Sequence, residues 1–352
     1  MSVPVHIVAM GARTPLGLRA ETSAAAVRAG VSRVSEHPLL VNVLGEPLLS
    51  APDPQLPPTL PGPDRLVSML AAAVMEVAHK LADSPLVVDE VPCWLALPEP
   101  RPGFVEPVLN DTGPLASAQM LSSGGLPLNV VWHPIPRGHA GAVLGLEQAL
   151  QALTTRCHGV CLVGGVDSYH EAATLDWLEG ERRLLRDEIR GAFPPGEGAA
   201  LVALTTDSTR RHLRLPSLGV IGGCSHGMEQ GDENADEGLL GVALADVYQE
   251  LGALLPAGGR FDDVFIDIND ERARTMDYAF AMMRCGRLFR DGNRYTTSVD
   301  ITGELGAASA PFNWILAARS FLRGYAAGNH AMVSSASWAG LRGAVLVQEG
   351  HR

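Results

Sequence analysis

Four stretches of the 352-residue chain gather side chains capable of chemistry. Cys157-His158-Gly159-Val160-Cys161 has the ligand types of a zinc site, but a structural zinc site needs a second pair at comparable spacing and the sequence holds none. Cys161 also stands between apolar neighbours, so it reads as a buried, inert thiol. Cys224-Ser225-His226 lines up a thiol, a hydroxyl and an imidazole, yet adjacent residues do not face one another productively, and a turn after a strand is the reading. Glu229, Asp232, Glu233, Asp236 and Glu237 lack the Asp-x-Asp-x-Asp-Gly order of a calcium loop and read as a solvated acidic loop. Arg182, Arg183, Arg186 and Arg190, interleaved with Glu179, Glu181, Asp187 and Glu188, read as the exposed face of a helix.

The elements that would position such groups alternate along the chain. Short apolar runs at residues 5–11, 92–97, 129–132, 159–165 and 199–204 are expected as strands, with helices at 21–29, 65–81 and 140–153. Six prolines between residues 48 and 64 forbid a regular element there, and an extended loop is expected. The pattern begins again after Thr206. Strands are expected at 217–223, 263–267, 331–335 and 343–348, and helices at 238–254, 273–285 and 307–324. Strands alternating with helices call for crossover connections and a layered α/β fold in two similar halves, 1–207 and 217–352.

Composition narrows the class. Hydrophobic residues make up 46% and charged residues 19%, which is enough apolar surface to offset the entropy of ordering and excludes a disordered chain. Five cysteines are too few for a disulfide scaffold. A formal charge of -12 argues against a nucleic-acid partner. The N-terminus lacks a basic region with an apolar core, and the longest apolar stretch, residues 66–78, is too short to span a bilayer. A soluble cytoplasmic protein without a membrane partner is expected.

Four glycine-bearing segments carry a resemblance in their order and spacing. They are Val8-Ala9-Met10-Gly11 through Gly17, Val163-Gly164-Gly165-Val166-Asp167-Ser168 with Phe193-Pro194-Pro195-Gly196-Glu197-Gly198-Ala199-Ala200, Thr302-Gly303-Glu304-Leu305-Gly306-Ala307-Ala308-Ser309, and Ser335-Ala336-Ser337-Trp338-Ala339-Gly340. Together they resemble the β-ketoacyl synthases of the thiolase superfamily across nearly the whole chain. The resemblance implies two thiolase-like halves in an αβαβα arrangement. It also implies a nucleophilic cysteine at a helix N-terminus, where the dipole favours thiolate, and two histidines that promote decarboxylation.

None of the three is found. His139 stands at the implied nucleophile position, Asn269 at the first histidine and Glu304 at the second. Trp338 and Phe193 are expected to line the same pocket. Cys161 lies inside a strand, Cys285 late in a helix, Cys157 just before a strand, and Cys93 and Cys224 near strand ends, so none has the required setting. No metal or cofactor is implied.

The leading reading is therefore a catalytically inactive ketosynthase-like protein acting as a binding partner, scaffold or adaptor. A resemblance to short degenerate thiolase-like chains that accompany secreted effectors implies type VI secretion as one setting. The alternative is an acyltransferase, or a silent chain-length-factor-like subunit of a β-ketoacyl synthase, with an acyl-carrier protein or a protein client as partner. In the resembled family the strand before the nucleophile pairs across a twofold axis. Asn129, Val130, Val131 and Trp132 are expected to do so here, in a homodimer or a heterodimer with a related chain.

Overall fold

The computed structural model describes residues 3–82, 84, 90–105, 128–155, 159–186, 189–229 and 241–350. The first apolar run becomes β1 (Val5–Arg13), buried along all but its last residue. It leads into α1 (Ala20–Ala29), stopped by Gly30 in the left-handed conformation. A hairpin of β2 (Ser35–Val41) and β3 (Pro47–Ser50) precedes α2 (Gly62–Leu81), whose proline in the first turn lacks only an N–H that would be unpaired anyway. The first round closes with β4 (Val91–Ala96), β5 (Val130–Ile135), α3 (Gly141–Thr154), β6 (Cys161–Ser168), α4 (Ala172–Gly180), β7 (Glu197–Thr206) and α5 (Asp207–His212). The second round holds β8 (Gly219–Met228), α6 (Val242–Gly252), β9 (Asp263–Ile266), α7 (Arg272–Cys285), α8 (Val299–Thr302), α9 (Ser309–Leu322), β10 (His330–Ala336) and β11 (Leu341–Gln348).

Nine strands join in one mixed sheet, ordered β5-β4-β6-β7-β1-β8-β11-β10-β9. From the short β1–β8 seam outward, both sides repeat one plan. The first strand of the round lies beside its last, which is antiparallel to both neighbours, and then come the penultimate and the second. On the first side β5 completes the set in parallel with β4. On the second side its place falls to a segment around Thr296, which donates to Val264 O at 2.8 Å and accepts from the Ile266 N–H at 2.9 Å without extending into a strand.

The helices sort into three layers, one shared between the inner faces of the two sides of the sheet and one on each outer face. α3 and α9 touch strands from both sides and lie between them. α2 covers the outer face of the first side, and α6 and α7 that of the second. Three apolar clusters fill the gaps: one around α3 and α9 with Trp314 and Phe312, one beneath α2, and one beneath α6 and α7. This is the expected αβαβα arrangement.

Several local expectations are corrected. Residues 48–64 are not one extended loop: they hold the end of β3 and the start of α2, and the β2–β3 hairpin exists because Asn42 builds its turn, accepting the N–H groups of Leu44 (2.9 Å) and Glu46 (3.0 Å) on its side-chain oxygen. Cys224-Ser225-His226 sits inside β8, paired with β11 from Val345 to Gly343, rather than in a turn. Cys93 likewise lies within β4. The arginine-rich stretch is not a helix face, since α4 ends at Gly180 and Arg183 and Arg186 follow it. Cys157, His158, Asp187, Glu188 and the acids from 232 to 237 lie outside the described residues. Among the described residues no helix is long and apolar enough to cross a membrane.

Candidate functional site

At one end of the sheet four loops bring His139, Asn269, Glu304 and Trp338 together. His139 sits in the tight turn Gly138–Ala140 that opens α3, Asn269 follows β9, Glu304 precedes α9, and Trp338 joins β10 to β11. The first three are almost fully buried. His139 Nε2 lies 3.0 Å from Glu304 Oε1, and Asn269 Nδ2 donates to Glu304 Oε2 at 2.6 Å. The Gly306 N–H adds a third bond to Glu304, at 3.0 Å.

A fifth group, absent from the sequence-based set, dominates the site. Arg274 places Nη2 3.0 Å from His139 Nε2 and 3.2 Å from Nδ1, while Nη1 donates to Asp267 Oδ2 at 3.1 Å and Nε to Glu271 Oε2 at 3.2 Å. With His139 Nε2–H donating to Glu304, Nδ1 is left to accept from Arg274 Nη2, and the 3.0 Å approach of Nη2 to Nε2 is then a contact between two donors. Burial pushes the Glu304 carboxyl up, but the neighbouring His139, Arg274 and the Gly306 N–H outweigh it and bring the group down to about 2. Burial works against the Arg274 charge, and Asp267, Glu304 and Glu271 more than restore it, raising its pKa. Asp267 is raised by burial, with Arg274 and His139 opposing. Arg274 with Asp267 and Glu271, and Glu304 with Asn269 and the Gly306 N–H, thus form two buried charged groups that meet at the His139 ring.

Glycines and carboxylates from the recognised motifs set this geometry. A Cβ on Gly165 would run into the Ala307 carbonyl, and one on Gly196 would lie 2.5 Å from Thr302 O, so both strand ends need the bare backbone to seat the Glu304 loop. Glu197 is itself structural: it accepts Arg65 Nε at 2.6 Å, the Asp53 N–H at 2.7 Å and Ser168 Oγ at 2.8 Å. Glu99 accepts the N–H groups of Trp338 and Ala339, both at 2.9 Å. Ser337 Oγ accepts the Ala140 N–H at 2.9 Å and donates to Arg137 O at 2.6 Å, tying the Trp338 loop to the His139 turn.

Trp338 closes the site from above. Its ring centroid is 5.9 Å from that of His139, and its Nε1 donates to Glu271 Oε2 at 3.3 Å. The Arg183 guanidinium stacks over it at 4.2 Å and donates through Nε to Glu271 Oε1 at 2.8 Å. A small cavity beside Arg274, Ser337 and Trp338 measures about 30 Å³, room for a water or two, and His139, Asn269 and Glu304 do not line it. Phe193 does not line it: the ring lies a layer behind, edge-on to Tyr169 at 5.6 Å.

No described cysteine is poised as a nucleophile. Burial pushes the thiols of Cys161 and Cys224 up to about 12 and that of Cys285 up to about 11, and Cys93 higher still. Among the described residues no cluster of histidine, cysteine and carboxylate side chains could hold a metal ion. Arg274 had one signal in the sequence: α7 opens with two arginines and no acid, an unfavourable charge for a helix N-terminus unless carboxylates elsewhere compensate.

No family model matches the sequence, and no curated protein matches it. Solved structures do. The ketosynthase in "AntDE:AntF", a type II polyketide synthase acyl-carrier protein in complex with its ketosynthase bound to the hexaketide, superimposes with a TM-score of 0.78 at 12% identity, covering 99% of this chain and 100% of that one. The ishigamide ketosynthase/chain length factor gives 0.77 at 14% identity and covers both chains fully. The ketosynthase from module 6 of the bacillaene synthase of Bacillus subtilis gives 0.71 at 15% identity, covering 99% of this chain and 72% of that one. With its two-round sheet and its five layers, the chain has the thiolase-like fold of the ketosynthases.

Proposed function

We propose that this chain is a ketosynthase-like subunit without condensing activity, whose work is to pair with another protein, foremost a related ketosynthase chain in the manner of a chain length factor. One observation carries the reading: His139, engaged by Arg274 and Glu304, stands where a condensing enzyme would need a nucleophilic thiol. Charge stabilisation of a reacting oxyanion requires donors free to meet it, and here the side-chain donors of Arg274 and Asn269 already serve carboxylates and a ring nitrogen.

The pairing surface we assign is the strand Asn129, Val130, Val131 and Trp132. Among the described residues β5 is the outermost strand on its side of the sheet, the place where an antiparallel strand from a second chain would continue the ladder. The indole N–H of Trp132 is buried with no hydrogen-bond partner among the described residues. In this reading the segments 1–207 and 217–352 act as one unit, the protein works in the cytoplasm, and an acyl-carrier protein loaded by the active partner is the client of the pair.

The decisive experiment is intact mass spectrometry after incubation with acyl-carrier protein and acyl-thioester, alongside co-expression with a ketosynthase encoded beside it. The expected result is no acyl adduct and a stable two-chain complex. An adduct on this chain would overturn the silent-subunit reading. A complex with an unrelated client, and none with a ketosynthase, would replace it by an adaptor role.

A further inference from the structure

The two strands of the β2–β3 hairpin pair only towards their ends, Ser35 with Ser50 and Glu36 with Leu49 on one side and Val41 with Pro47 on the other. Between them the ladder is interrupted, and the side chain of His37 takes over its work. Pro38 has no N–H to offer, and the next two N–H groups, those of Leu39 and Leu40, both donate to His37 Nδ1, at 3.1 and 3.0 Å. A backbone N–H can only donate, so Nδ1 is bare and the ring is neutral. That ring is buried and stacks on the ring of His170, with centroids 5.8 Å apart. Two charged groups also face it, Arg65 from α2 and Glu197 from β7. They are paired with each other, Arg65 Nε donating to Glu197 Oε2 at 2.6 Å.

We propose that His37 is an acid-released latch: a bare Nδ1 holds residues 37–41 in place, and a proton on that atom frees them from β3 and from His170. The proton stands where two N–H groups already point, so both hydrogen bonds are lost together. It also sets a charge beside a second imidazole and the Arg65 guanidinium. Glu197 has little left to offer that charge, because it accepts the Asp53 N–H and Ser168 Oγ as well as Arg65. Burial holds the His37 ring below its ordinary value of 6.5, with Arg65 acting in the same direction and Glu197 opposing. The closed arm is therefore fully favoured above pH 6.5 and progressively less so as the pH falls below it. The movement belongs to β2, since β3 has anchors of its own: Leu48 is buried with Tyr169, Leu178 and Phe193, and the Ala51 N–H donates to Pro195 O at 2.8 Å. Tyr169 in turn meets Trp338 edge-on at 6.0 Å, so the arm borders the aromatic wall of the candidate site. The latch is independent of the silent-subunit reading.

The test is hydrogen exchange of the full chain, read by mass spectrometry at about pH 7.5 and about pH 5 and corrected for the intrinsic rate at each. Protection of the Leu39 and Leu40 amides is expected to fall about tenfold or more on acidification. His37→Asn keeps an acceptor without a titrating group, because an asparagine oxygen takes the N–H two residues on, as Asn42 does for Leu44 in the same hairpin. In that variant the fall should shrink to less than about twofold, whereas His37→Ala should leave both amides poorly protected at either pH. Unchanged protection in the unmodified chain would overturn the proposal. So would a fall of equal size in His37→Asn, which would assign the acid response to another group, His170 foremost. Nitrogen NMR of the histidine-labelled chain needs no variant. His37 Nδ1 should show the chemical shift of an unprotonated ring nitrogen at the higher pH and lose it in step with the protection, and an Nδ1 already protonated there would refute the latch.

Discussion

Arg274 lies against both ring nitrogens of His139, 3.0 Å from Nε2 and 3.2 Å from Nδ1. The same guanidinium is fixed on its other side by Asp267 and Glu271. His139 is therefore a structural link between two buried carboxylate-bearing loops.

Restoring a thiol at this place is expected to restore no chemistry. In His139→Cys the sulfur would stand at the start of α3, but Arg274 and Glu304 would still close the space around it. Intact mass spectrometry with an acyl-thioester should find no adduct, and a stoichiometric adduct would contradict the closed-site account.

Removing one member of the charge set should be costly. Glu304→Gln leaves Arg274 short of a buried counter-charge and is expected to lower stability by about 3 kcal/mol or more, read from the midpoint of urea unfolding. Arg274→Met should cost at least as much, because it leaves the buried carboxylates of Asp267 and Glu271 without their cation.

Acid should destabilise the fold in two stages. Burial depresses His170 from 6.5 to about 4, the effects of Glu197 and Arg65 being smaller. A histidine depressed in the folded state contributes stability that is complete above pH 6.5 and lost as the pH falls toward 4, about 3 kcal/mol in all. Glu304, held down to about 2, contributes stability present above pH 4.5 and lost as the pH falls through 2. Thermal melts across this range should flatten between pH 6.5 and 4 in His170→Phe, and a profile unchanged by that variant would exclude His170 as the cause.

The close approach at Gly196 predicts a sharp penalty. A methyl group there meets Thr302 O at 2.5 Å, so Gly196→Ala should lose roughly 1–3 kcal/mol by overpacking and shift the Glu304 loop. Gly30→Ala is a useful contrast, since nothing lies within 4 Å of its added methyl and only its left-handed φ of 67° is strained.

Val131→Asp tests the β5 edge. A carboxylate in the pairing strand should split a two-chain complex or aggregate the protein. Analytical ultracentrifugation that finds the unmodified chain monomeric, both alone and with a related chain, would remove the pairing proposal.

Much of this architecture was legible because its signals are local. The continuous apolar runs of β4, β6 and β7 and the small-residue pattern of α3 needed no tertiary context to be read. The hairpin of β2 and β3 was not: it carries no alternation, and its turn depends on one asparagine side chain. The segments that converge on His139, Asn269, Glu304 and Trp338 could be picked from glycine motifs. Arg274 could not, because its partners Asp267, Glu271 and His139 lie on two different loops and meet only in the folded sheet. Phe193 was misplaced for a related reason, since its apolar neighbours Tyr169 and Leu184 hold it behind the loop that Trp338 occupies.

The unequal ends of the sheet have a consequence for assembly. At β9 the outer backbone groups of Val264 and Ile266 are already engaged by Thr296, and Phe261 by the segment at 288–290. At β5 no described residue performs that service. The β9 terminus is therefore closed to an added strand, and growth of the sheet from one molecule to the next through that end is blocked by the chain's own segments at 288–290 and 296.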